Sequence, residues 1–302
     1  MGDGVVHLEN GVWQVGVLPG TGASLAYGRV KGRAGFVDVL RPTPPEQFGN
    51  SSACSSFIML PWCNRIKGGV LRFRGEHYLL RTAKDDGTAR HGDTRGRAWT
   101  VEAAGREHVR LSLRSADYPD LNWPFRFTAE AVYRLDGVDF IWELTLQNID
   151  TRAFPAGFGH HPYFVRTDDV LVRIPCTAAF ELTDFMATGA AVPIPARLDF
   201  RQRRGLDAAE INDVLTGRME LEPAEIVYPG QGIRLEMQCD TIFEQILLFA
   251  PAGKEFFAVE PMTNVSDGFN LFEDGIPGSG VFVLEPGESA SGRVRLGAML
   301  GE

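Results

Sequence analysis

The 302-residue chain is 44% hydrophobic, has a formal net charge of −9, and contains 34 glycines, 18 prolines and four cysteines. That length buries a sizeable core in one large β domain or two smaller ones. The acidic balance argues against a nucleic-acid partner, because the one basic cluster, Arg201, Arg203 and Arg204, is short and reads as a solvated loop.

No apolar run approaches the ~20 residues that span a bilayer, so no membrane partner is expected. Met1 to Asn10 lacks a basic stretch followed by an apolar one, and Val6 stands where a myristoylation signal needs Ser or Thr. Cys54, Cys63, Cys176 and Cys239 have no metal-site spacing and read as reduced thiols, so the expected location is cytoplasmic.

In chain order, the first strand signals are Val5 to Leu8 and Val12 to Leu18 around Asn10-Gly11, then Val70 to Arg74 and His77 to Thr82 around Gly75-Glu76. Val109, Leu111 and Leu113 alternate with polar neighbours. The clearest hairpin follows. Phe125, Phe127, Ala129, Ala131 and Tyr133 alternate up to Asp136-Gly137, and Val138, Phe140, Trp142, Leu144 and Leu146 alternate beyond it. Further strands are expected at Val170 to Ile174, Ile233 to Met237, Ile242 to Phe249, Phe256 to Val259, Val281 to Leu284 and Arg293 to Leu296, with helical turns over Asp207 to Leu215. Many short strands with turn-rich links, and no linker or repeat, predict one all-β domain over residues 1–302, a large β-sandwich with few short helices.

Four segments depart from strand-and-turn sequence: Pro61 to Gly69 with Asn64-Arg65-Ile66; Arg90-His91-Gly92-Asp93; Gly157 to Phe164 with His160-His161; and Val259-Glu260-Pro261-Met262-Thr263 with Asp267 to Asn270 beyond. Histidine titrates near neutrality and a glutamate can be tuned to accept a proton, so the last two supply the pair that acid–base catalysis needs. His161 precedes a proline and is biased to extended backbone. Glu260 ends an apolar run, and a carboxylate at the rim of a buried strand has a raised pKa. Taken singly, each has a plainer explanation: a core histidine, a strand-end carboxylate, a surface arginine, a turn histidine. The argument for function is their joint pattern.

That pattern resembles the aldose 1-epimerase (galactose mutarotase-like) family from about Asn10 to Leu296. Asn64-Arg65-Ile66 with Gly68-Gly69 is similar to the family's arginine motif, and Phe73 to Leu80 to the hairpin after it. His91-Gly92 is similar to its His-Gly motif. His161-Pro162-Tyr163-Phe164 is similar to the His-x-Tyr-Phe motif of the catalytic acid, which selects His161 over His160. Asn212-Asp213-Val214 loosely resembles the segment of a sugar-binding aspartate, Glu260 to Thr263 with Asn270 the segment of the base, and Leu284 to Glu288 the closing turn. Two departures mark a divergent branch: Asp93 replaces a second glycine after His-Gly, and Pro261-Met262-Thr263 follows the glutamate where Thr-Gln is common.

The resemblance implies a galactose mutarotase-like supersandwich and a cofactor-independent, metal-free isomerase that interconverts the α and β anomers of an aldose by ring opening. Glu260 would be the base and His161 the acid, with Arg65, His91 and Asp213 holding a monosaccharide. Three rival readings remain. A glycoside hydrolase needs a second carboxylate, and the sequence offers no clear one. A non-catalytic sugar-binding protein would not require both His161 and Glu260. A phosphosugar epimerase could use Arg72, Arg74, Arg90, Arg95 or Arg97 for a phosphate, although solvation of strand faces is the plainer reading of those arginines.

Overall fold

The structure is a computed structural model that describes residues 4–206, 210–219 and 222–300. The period-two segments become antiparallel strands. Phe127–Asp136 and Asp139–Asn148 pair in register from Phe127 opposite Asn148 to Asp136 opposite Asp139, so the turn at Gly137 holds two residues between the strands. Gly137 has φ +58°, as such turns require. Val6–Glu9 pairs with Trp13–Leu18, and Val70–Phe73 with Glu76–Leu79.

Two large antiparallel sheets form among the described residues, one of 11 strands and one of nine. Between them lies the main core. Trp13, Phe140, Trp142, Leu144, Phe164, Leu235, Leu248, Phe257, Val259 and Leu296 are all buried there. Burial of this much apolar surface is the principal source of stability. The single α-helix among the described residues is Gly268–Glu273, and the remaining helical segments are 3-10 turns. The expected β-sandwich with few short helices is therefore the observed architecture. None of these helices is long and apolar enough to cross a membrane, and all four cysteines are free and buried.

One expected element is corrected. Of the helical turns placed over Asp207 to Leu215, residues 207–209 lie outside the described residues, and Ile211–Arg218 is a strand. Its backbone groups are satisfied by pairing with Gln245–Ala250 and Cys176–Ala179. Long-range pairing overrides the weak local helical signal.

The larger sheet is buried on both faces, and this is what creates the site. Along Phe256–Met262, Phe257 and Val259 face the inter-sheet core, whereas Ala258 and Met262 belong to a second apolar cluster with Phe57, Met59, Tyr163, Val214 and Leu247. Along Gly159–Val165 the same alternation splits the two histidines. His160 packs in the main core, its ring 4.9 Å from Trp142 and 6.5 Å from Tyr133. His161 emerges on the opposite face.

Burial holds His160 neutral, its pKa lowered to about 3. The denatured chain, at about 6.5, takes up the proton first as pH falls. This histidine therefore subtracts stability below pH 6.5 by up to about 1.4 kcal/mol per pH unit. His160→Phe is expected to flatten the fall in unfolding free energy between pH 6.5 and 5 by about 1.6 kcal/mol, read from urea curves at both pH values. An unchanged slope would show that His160 is already protonated or hydrated in the fold.

Candidate active site

Strand register assembles the centre. Gly159 lies opposite Met262 and Tyr163 opposite Ala258, which sets His161 across from Glu260 on the neighbouring strand. On the other side, Ser56–Met59 pairs with the same histidine strand, with Phe57 opposite His161. Glu260 is in the middle of its strand rather than at the rim, because Pro261 and Met262 continue it, paired with Ile246 and Gln245.

His161 Nε2 lies 3.0 Å from Glu260 Oε1. The imidazole is stacked on Phe57 at 4.6 Å between ring centroids and packs on Tyr163 at 4.4 Å. The Tyr163 hydroxyl is 3.5 Å from Nε2. Glu260 is 1% exposed and His161 6%. The second carboxylate oxygen, Oε2, and His161 Nδ1 are buried without a protein partner. Unpartnered polar atoms this deep are costly in a core.

Burial pushes the Glu260 carboxyl well above the usual carboxylate range, opposed by the charge of Arg65. Burial also pulls the His161 imidazole down to about 3, with Arg95, Arg41 and Arg65 adding to the shift. Both shifts favour the neutral forms, whereas mutual attraction favours the ion pair. A proton shared across this contact sits either as carboxylic acid with imidazole or as carboxylate with imidazolium. Burial brings these two arrangements closer in energy than they are in water.

His91 joins them. Its ring meets His161 edge-on at 5.6 Å and Phe57 at 5.7 Å. It is held by a left-handed backbone, φ +64°, and its N–H donates to Asn64 O at 2.7 Å. Gly92 must follow, since a Cβ there would sit 2.1 Å from Leu60 O at φ +70°. Burial, then the neighbouring His161 and arginine charges, keep His91 neutral, and its Nδ1 has no protein partner.

Arg65 comes from a short strand paired with Ala89–Arg90. Its Nε contacts Asp86 at 3.0 Å, its Nη1 donates to Asn64 Oδ1 at 3.2 Å, and Phe185 covers its guanidinium at 4.7 Å.

Asp213 is not part of this assembly, which corrects the sequence expectation. It lies opposite Leu248, and Leu248 opposite Val259, so it belongs to the row facing the inter-sheet core. Arg197 engages both of its oxygens, at 2.8 and 2.6 Å. In a β-strand a shift of one residue moves a side chain to the other face. The loose match at Asn212-Asp213-Val214 carries that ambiguity, and it is Asn212 that shares the row of Phe249, Ala258 and Tyr163.

Sequence reasoning also passed over Arg41, whose guanidinium lies 4.1 Å over Tyr163, and Phe185. Arg41 sits in no motif. Phe185 is at the tip of a hairpin whose Asp184 and Phe185 both have positive φ, and no turn-type glycine or asparagine announces it.

Fold and site together define a β-supersandwich protein with a buried histidine–glutamate pair. The aldose 1-epimerase family matches residues 5–297, and the chain belongs to that family. Among curated relatives, the Escherichia coli (strain K12) protein YihR, described as uncharacterized, is 27% identical over 234 residues, 73% of this chain and 75% of that one. Among solved structures, a galactose mutarotase-like protein from Clostridium acetobutylicum superposes with a TM-score of 0.85 at 17% identity, covering 97% of this chain and 94% of that one. The GalM/aldose epimerase homologue from C. elegans gives 0.85 at 18% identity and covers 99% of each chain. At those identities the structural matches bear on the fold.

Proposed function

We propose that the chain is a cofactor-independent aldose 1-epimerase that interconverts the anomers of a sugar by reversible ring opening. The observation that carries this reading is the 3.0 Å contact between His161 Nε2 and Glu260 Oε1. O1 and O5 of an aldopyranose are bonded to the same carbon. A base acting on one and an acid acting on the other must therefore be near neighbours, as these two are.

Glu260 takes the proton of the C1 hydroxyl while His161 gives one to the ring oxygen. The C1–O5 bond breaks, its electron pair goes to O5, and C1 becomes the aldehyde carbon. Rotation about C1–C2 presents the other carbonyl face, and closure reverses both transfers. The pair passes from carboxylate–imidazolium to carboxylic acid–imidazole and back. Burial narrows the gap between these two arrangements, which suits a reaction that must run in both directions. Arg65 and His91 donate to sugar hydroxyls and hold the ring while it opens.

Polarimetry of freshly dissolved aldoses tests the reading. Catalysed relaxation of at least one is expected above the spontaneous rate. Binding without acceleration of any would favour a non-catalytic sugar-binding protein.

A further inference from the structure

Of the five arginines that the sequence offers as anion ligands, four are engaged by carboxylates. Arg72 contacts Asp274 at 2.6 Å, Arg74 Glu285 at 2.8 Å, Arg90 Asp85 at 2.8 Å and Arg97 Asp93 at 2.7 Å. Arg95 is not. Among the described residues, its side chain makes one hydrogen bond, from Nη1 to Ser52 Oγ at 3.4 Å, and its guanidinium lies 5.1 Å over the Phe57 ring. Arg41 is in the same position. Its Nη2 donates to the backbone carbonyls of Ser52 at 3.3 Å and Cys54 at 3.0 Å, and its guanidinium lies over Tyr163 at 4.1 Å and Phe256 at 4.5 Å. Neither makes an ion pair with a carboxylate among the described residues.

Three features set these two apart from ordinary surface cations. Both reach the same residue, Ser52, Arg95 at its hydroxyl and Arg41 at its backbone carbonyl. Both are partly withdrawn from water, and burial depresses the pKa of each. The rings beneath them, Phe57 and Tyr163, are two of the rings that pack on His161. Cation–π contact returns only part of what desolvating a guanidinium costs. A bound anion would return more, with the paired hydrogen bonds that a guanidinium fork offers to carboxylate, sulfonate or phosphate oxygens. A polar cleft of about 480 Å³ opens beside Arg95; Ser52, Arg90, Arg97 and Asp93 also line it, and Arg41 lies outside its lining.

We propose that Arg41 and Arg95 form an anion subsite beside His161, and that the preferred substrate is an aldose bearing a negatively charged group on the side of the ring away from Arg65. This rests on the epimerase reading of the site. It goes further by naming an acidic rather than a neutral sugar. Arg41 and Arg95 are positioning and specificity residues and touch none of the reacting atoms.

The test compares glucose with its C6 carboxylate, C6 phosphate and C6 sulfonate counterparts, with anomer exchange followed by NMR and binding followed by calorimetry at low ionic strength. At least one anionic sugar is expected to exceed glucose in kcat/KM by tenfold or more. That ratio should fall at least tenfold in Arg95→Gln and recover in part in Arg95→Lys, with the loss mainly in KM. Which of the three is preferred distinguishes the anionic groups. Circular dichroism of each variant checks that it is folded, and Arg41→Lys provides a second variant of the same subsite.

Glucose handled as well as all three anionic sugars, or a ratio unchanged in Arg95→Gln, overturns the subsite and leaves the epimerase reading intact. Arg95-dependent binding of an anionic sugar without exchange of any sugar supports the subsite and overturns the epimerase reading. Absence of binding by all three overturns the subsite.

Discussion

Glu260→Gln is expected to lower kcat for anomer exchange by about 10²–10⁴-fold while KM stays within a fewfold of wild type. The amide keeps the shape of the carboxyl and can still hydrogen-bond to His161, so the ground-state complex is preserved. It lacks the basic oxygen that must accept the C1 hydroxyl proton, an interaction needed only as the ring opens. Glu260 is 1% exposed and burial already pushes it toward its neutral form, so a neutral amide removes a desolvation cost rather than adding one. The variant should therefore unfold in urea at a midpoint no lower than wild type. Full activity in Glu260→Gln would mean that the base is another residue. Equal losses in activity and stability would mean that the glutamate is structural.

The residues that make this prediction possible were unevenly legible in the sequence. The hairpin at Asp136-Gly137 could be read from alternation and turn chemistry alone, because a half-buried strand exposes every second residue and the two-residue loop has a narrow composition. The strands of the site could not be read that way. Gly159–Val165 and Phe256–Met262 are covered on both faces, so their sequences run nearly continuously apolar and alternation no longer reports which side is which. Glu260 consequently looks like a strand end when it is a strand centre. Motif resemblance selected His161, the histidine that lies beside Glu260, over His160 in the core, since His-x-Tyr-Phe fixes a register. It did not do so at Asn212-Asp213, where two adjacent polar residues point to opposite faces and the match is loose. Arg41 and Phe185 carried no local signal, because their roles come from contacts between segments far apart in the chain. Of the arginines, the sequence supplied candidates, and only the placement of Asp85, Asp93, Asp274 and Glu285 shows which are already engaged.

His161→Asn is expected to lower kcat by a similar about 10²–10⁴-fold, and the pH dependence of the wild type shows why acid and base must be treated as one unit. The working state carries a single proton on the pair. Adding a second creates a buried cation, which burial opposes by holding His161 down to about 3. The acid limb of kcat/KM should therefore lie well below the roughly 6.5 of a solvated imidazole. Removing the shared proton leaves a buried carboxylate beside a neutral imidazole, which burial opposes by holding Glu260 up. The alkaline limb should then lie well above the usual carboxylate range. The profile is a broad plateau, and its two limbs belong to the pair rather than to either residue. Assigning the low limb to a simple carboxylate and the high limb to a simple histidine would instead give a narrow bell between about 4.3 and 6.5. The measurement is initial anomer-exchange rate against pH, with circular dichroism at each acid point, because the neutral His160 makes the fold itself less stable there. A rate that falls away above pH 6.5 while the fold is intact would show that the imidazole titrates on its own and that the two groups do not share a proton. In His161→Asn the residual rate should lose the broad plateau, since the remaining carboxyl titrates without its partner.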